Sequence, residues 1–338
     1  MDFETCFRQS RYLLLEGALG ERLKREYGLK IDGPAAIAPL ITQPAGRAAL
    51  RELWGQYRAV ARRHCLPFLA TTPTRRANRE RTALAGYDAQ LLRESVAFLR
   101  EVREQTGGTE GMYIGALMGC RGDAYLGDAV LPSAQAKEFH SWAADIFAEA
   151  GAEFLYAGIM PALQEAIGMA QAMEQTGLPY IISFMIRKNG RLIDGTPISQ
   201  AIAAVDASVD RPPLCFMTNC VHPAPLRQAL LQRENRAKPE LARFLGIQAN
   251  ASPLSPPRSW MARSSCSARA RRSWPNRWWR WRIFNPLKFL EVAAGWMKPI
   301  WKHWHGDWKR SFKKGKAMAF PFFMEGKIPV RAAERPAG

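Results

Sequence analysis

Three short stretches of this chain could do chemistry. In Asn219-Cys220-Val221-His222-Pro223 a thiol stands two residues before an imidazole. A deprotonated cysteine is a nucleophile and a soft metal ligand, and a neutral histidine can serve as ligand or base. In Glu16-Gly17-Ala18-Leu19-Gly20 a carboxylate adjoins small residues that let a ligand approach the backbone. Thr71-Thr72-Pro73-Thr74 supplies hydroxyls. Each stretch also has a plainer reading: Cys220 as a small buried hydrophobe, His222 as a polar surface residue, and Glu16 as a solvated turn carboxylate.

The elements around these stretches decide which end of a fold they reach. β-rich runs alternate with amphipathic helical text. Strands are predicted at Tyr12–Leu15, Leu66–Thr71, Met112–Leu117, Glu153–Ala157, Tyr180–Ile186, Leu214–Cys220 and Leu245–Asn250. Helices are predicted between them, near 45–64, 88–105 and 198–208, with Ser133 as an N-cap, Pro161 at a first helical position and Pro223 opening another. Strict alternation implies a parallel sheet with helical crossovers, and a count approaching eight favours a TIM (β/α)8 barrel over an open sheet. Active sites of such barrels lie at the C-terminal ends of the strands, where all three stretches fall.

Charge and tryptophan divide the chain near Pro256. Residues 257–338 hold 19 Lys and Arg against 4 Asp and Glu, and nine of the 11 tryptophans. Residues 1–256 hold 29 against 26, so the +18 net charge belongs almost wholly to the tail. Taken at face value, Lys298–Lys316 with its interleaved Trp and His could bind nucleic acid or an anionic membrane surface. An eighth strand would have to come from this tail, and Lys288–Val292 is the candidate for an imperfect one. Met1-Asp2-Phe3-Glu4 shows no secretory signal, no run is apolar enough to span a membrane, and the scattered cysteines suggest reduced thiols. A cytoplasmic location is the expectation.

Leu13–Leu23 resembles the opening hDGALGTEL pattern (h, apolar) of the homocysteine S-methyltransferases. Asn219-Cys220 resembles their strand-six element, and Gly246–Ala251 their seventh strand. The resemblance spans residues 10–256 and implies a zinc-dependent TIM barrel serving methionine biosynthesis. In that family a strand-six cysteine and the adjacent pair of a late Gly-Gly-Cys-Cys-Gly motif bind zinc. A small-molecule thiol acceptor takes the fourth position and receives a methyl group from a donor. The resemblance makes Cys220 the first zinc ligand and Glu16, Gly17, Ala18 and Asn219 substrate-binding. There are departures: the opening Asp is Glu16, the following Thr-Glu is Glu21-Arg22, and the family's amino-group-gripping Glu after strand four is missing from Tyr156–Pro161.

The late cysteine pair is also missing. Cys266 is the only cysteine after Cys220. Yet suitable codons for Leu290–Trp304, read from the third base of the Leu290 codon, give Gly-Gly-Cys-Cys-Gly-Met-Asp-Glu-Thr-His-Met-Glu-Ala-Leu. The same offset turns Pro257–Ala262 into Glu-Glu-Leu-Asp-Gly. A frameshifted C-terminus is therefore expected, with Ala293 and Ala294 where the cysteine pair belongs, a compromised eighth strand and last helices, and only one of three zinc ligands. Such a chain would be an impaired S-methyltransferase. The alternatives are another small-molecule transferase or lyase on the same barrel, or a nucleic-acid-binding protein using the basic tail.

Overall fold

A computed structural model of the chain describes residues 1–250 and the strand Phe289–Glu291. Eight strands run parallel in sequence order and close into a barrel. They are β1 (Leu13–Leu15), β2 (Phe68–Thr71), β3 (Met112–Gly119), β4 (Phe154–Met160), β5 (Tyr180–Phe184), β6 (Cys215–Val221), β7 (Phe244–Ala249) and β8 (Phe289–Glu291). β8 completes the ring: Phe289 stands in register with both Leu13 of β1 and Gly246 of β7. The barrel thus takes its last strand from beyond Pro256, within the candidate stretch. The other expectations for 257–338 lie outside the described residues.

The described helices are α1 (Phe3–Gln9), α2 (Leu19–Tyr27), α3 (Pro44–Arg63), α4 (Arg79–Leu84), α5 (Gln90–Gln105), α6 (Ser133–Glu149), α7 (Leu163–Gln175), α8 (Ile198–Asp206) and α9 (Pro223–Leu230). Their apolar faces cover the barrel, so strands are buried on both sides. Every residue of β4 and of β5 is buried, which is why these strands read as unbroken apolar runs rather than alternating ones. None of the described helices is long and apolar enough to cross a membrane.

α1 was not predicted from the sequence. Asp2 caps it by accepting from Thr5 N at 2.8 Å. Its buried face plugs the N-terminal end of the barrel, with the Phe3 ring stacked on Phe154 at 4.2 Å between centroids. α6 and α7 meet at close range because Gly168 has no side chain. A Cβ there would sit 2.3 Å from Ser133 O and 2.5 Å from the Ala136 Cβ.

Two predicted caps are corrected. Ser133 is the first residue of α6, and Pro132 holds the N-cap position. Pro161 lies outside α7, whose N-cap is Ala162. Asp194, on the loop after β5, accepts from Leu163 N at 2.7 Å and supplies the missing cap from a distance. β5 also ends at Phe184, because Ile186 turns back to bridge Leu192 within its own loop.

Candidate active site

The C-terminal ends of β1, β4 and β6 share an uncommon backbone. Ala18, Ile159 and Cys220 all have positive φ, at 45°, 52° and 56°. Left-handed backbone is costly for a residue with a Cβ, most of all for a branched one such as Ile159. The sheet register shifts around both Ile159 and Cys220, so each sits on a bulge at the barrel mouth. Bulges re-aim side chains next to sites of chemistry. Here the β6 bulge presents the partly buried Cys220 thiol.

A polar network holds these bulges. Asn219 is 6 % exposed. Its Oδ1 accepts from Ile159 N at 3.1 Å and from the Ser183 hydroxyl. Its Nδ2 donates to Tyr156 Oη at 2.7 Å and to Gln248 Oε1. Gln248 Nε2 donates in turn to Glu16 O at 3.2 Å. One side chain on β6 therefore joins β4, β5 and β7, and through Gln248 reaches β1.

Glu16 is not the solvated turn carboxylate of its plainer reading. It is 4 % exposed and accepts from Thr71 N at 2.9 Å and from the Thr71 hydroxyl. Burial pushes its carboxyl up to about 8, against the opposing effect of the Thr71 donors. Gly17 O accepts from Tyr57 Oη at 2.5 Å, and Ala18 begins α2 as its N-cap. The Thr72 and Thr74 hydroxyls pair at 2.6 Å and bind the Leu117 backbone, locking the β2 loop to β3.

His222 is the N-cap of α9. Its Nδ1 accepts from Ala224 N at 3.0 Å, and burial lowers the imidazole to about 4. It is therefore neutral at pH 7, with one ring nitrogen engaged by the helix. Tyr125, on the loop after β3, interacts electrostatically with Cys220. The electrostatic influence of Cys220 and then burial push this phenol well above its ordinary value. Asp123 fixes the Tyr125 backbone, accepting from Tyr125 N at 2.8 Å.

Tyr125, Tyr156, Ser183 and Gln248 were not among the predicted site residues, since each reaches the mouth only through tertiary pairing. Among the described residues, no group of three or more His, Cys, Asp or Glu is placed to hold a metal ion. A cleft of about 520 Å³ beside Tyr180, Arg211 and Arg243 opens at the opposite, N-terminal end and contains none of this chemistry.

A comparison with curated proteins finds no match. Among solved structures, the chain is similar to the homocysteine methyltransferase MmuM of Escherichia coli. The metallated form aligns with a TM-score of 0.57 at 22% identity, over 67% of this chain and 80% of that one. The oxidized form gives 0.56 at 22% identity, over 66% and 78%. These likenesses establish the shared fold. A family model described as homocysteine S-methyltransferase matches residues 13–283. With that match over most of its length, and a closed barrel presenting Asn219-Cys220 at the mouth, the chain belongs to the homocysteine S-methyltransferase family.

Proposed function

We propose that this barrel is built for methyl transfer to the sulfur of a small thiol held at the mouth beside Cys220, and that the chain as written performs it poorly. The observation that carries the reading is the family match together with the half-buried Cys220 on the β6 bulge. The methyl donor is a small molecule with an activated methyl group.

The acceptor must react as its thiolate, since a neutral thiol is a weak nucleophile. Bound zinc would supply that activation at neutral pH, and the E. coli relative exists in a metallated form. The chain's own residues form the rest of the site. Asn219 holds the Cys220 bulge, and Tyr125 interacts with Cys220 from the loop after β3. Glu16, Gly17 and Ala18 line the β1 end where the substrate would lie.

The donor set does not fit zinc. Cys220 is one thiol, and the His222 Nδ1 is engaged by its helix. Cys266 is the only later cysteine, and Ala293 and Ala294 follow β8 where a reading-frame change would hide the pair. We therefore read residues 257–338 as a frameshifted version of the family's C-terminus.

Two purified proteins test this: the chain as written, and one whose residues from 257 onward are translated in the offset frame. With zinc, a thiol acceptor and a sulfonium methyl donor, the restored protein is expected to transfer methyl groups and the written one to be slower by orders of magnitude. Equal rates would overturn the impairment. No transfer by the restored protein to any thiol would overturn the functional assignment.

A further inference from the structure

A buried pair between α6 and α7 serves the barrel mouth more than the helices that carry it. Glu165 is 0 % exposed and His140 2 %. His140 Nε2 lies 3.1 Å from Glu165 Oε1, and the same oxygen accepts from Arg121 N at 2.7 Å. Glu165 Oε2 is buried with no hydrogen bond to any described residue. A carboxylate with one bare oxygen is costly to bury, and an apolar side chain of similar volume would pack two helices at least as well. The first turn of α7, where Glu165 sits, offsets part of that cost through the helix dipole. What the carboxylate adds beyond packing is its bond to the Arg121 backbone.

Arg121 is the second residue beyond β3, where the chain leaves the barrel. The loop that starts there is pinned again at Gly127, where a Cβ would lie 2.8 Å from Ile193 Cγ2. Ile193 N donates to Pro161 O at 3.0 Å, and Pro161 follows the Ile159 bulge that Asn219 holds. Tyr125 lies between the two pins, with its N–H on Asp123 Oδ1 at 2.8 Å. Two less buried contacts assist at the start of the loop: Arg121 with Glu80 at 2.9 Å, and Arg81 with Gly122 O at 3.0 Å. Water competes with both, and it does not reach Glu165.

We propose that Glu165, oriented by His140, is a positioning residue for the loop after β3, and that through this loop it sets the access of small molecules to Cys220. The pair touches no substrate. It acts by fixing Arg121, so that Tyr125 is held to screen the thiol on the β6 bulge, with which it interacts. The proposal rests on the reading of the mouth as the methyl-transfer site, but thiol reactivity reads the positioning whether or not the barrel transfers methyl groups.

The chain as written is alkylated with iodoacetamide at fixed pH, and the rate at each cysteine is followed by peptide mass spectrometry. Cys6 and Cys215, buried in the core that α1 plugs, report on any general loosening. Cys120, 4 % exposed and next to Arg121, reports on the loop itself. Glu165→Met removes the acceptor for Arg121 N at similar volume. It should raise the Cys120 and Cys220 rates about tenfold, the scale of a lost buried hydrogen bond to a charged group, and leave Cys6 and Cys215 unchanged. Glu165→Gln keeps an oxygen for Arg121 N and should stay within about twofold of the unaltered chain.

Tyr125→Ala tests whether the route runs through the loop. Alone it should raise the Cys220 rate, and Glu165→Met added to it should raise that rate no further. A Cys220 rate unmoved by Glu165→Met or by Tyr125→Ala overturns the proposal. So does a rise at Cys6 and Cys215 as large as at Cys220, which would mark a merely structural role. Glu165→Gln behaving like Glu165→Met, or the Glu165 and Tyr125 effects multiplying in the double change, overturns it as well.

Discussion

Asn219 Oδ1 accepts a hydrogen bond from the Ile159 backbone nitrogen at 3.1 Å, tying the β6 bulge that carries Cys220 to the β4 bulge opposite. Both bulges hold a non-glycine residue at positive φ, so neither backbone is self-sustaining. Asn219→Ala leaves buried donors without an acceptor and frees both bulges. It should cost about 2–3 kcal/mol in urea unfolding, since buried groups left unpaired bear their full desolvation penalty. A loss under about 0.5 kcal/mol would mean that the bulges stand without it.

Glu16 makes stability depend on pH in an unusual direction. Its folded carboxyl is raised by burial to about 8, against 4.5 for the free group. The folded state therefore holds a proton that the unfolded state has released, and stability from this group falls as pH rises from about 4.5 to 8. Glu16→Gln accepts the Thr71 N–H without titrating. It should flatten the profile across that window, with a gain at pH 8 on the order of 3 kcal/mol. Parallel pH profiles for the two proteins in denaturant unfolding would contradict the assignment.

Gly168 sets the spacing of α6 and α7. Alanine is the better helix former by about 1 kcal/mol, so an exposed glycine-to-alanine change would stabilise. Here the added Cβ would lie 2.3 Å from Ser133 O and 2.6 Å from Lys137 N. Backbone cannot give way cheaply, so Gly168→Ala should lower stability by about 2 kcal/mol. A raised melting temperature would show that the two helices pack less tightly than this.

The barrel was legible because its β4 and β5 runs are apolar throughout and its helices are spaced between them, a pattern few other architectures produce. The plug helix α1 was not, because seven residues after an Asp carry too little periodicity to stand out. The α7 cap was misread because its partner, Asp194, lies 31 residues away on another loop. Cys220 and Asn219 were picked out by resemblance and by their place at a strand end. The fate of Glu16 was hidden, since a Gly-flanked carboxylate looks solvated until Thr71 is brought against it. Tyr125 gave no signal at all: a loop residue acquires a place at the mouth only once the strands are paired.

The most direct test of the account is a zinc titration of the purified chain against a chromophoric chelator, run beside Cys220→Ser. With a single thiol at the β6 bulge, and alanine at 293 and 294, the unaltered chain should compete no better than the Cys220→Ser protein. One equivalent of zinc held tightly by the unaltered chain and lost with Cys220→Ser would contradict it.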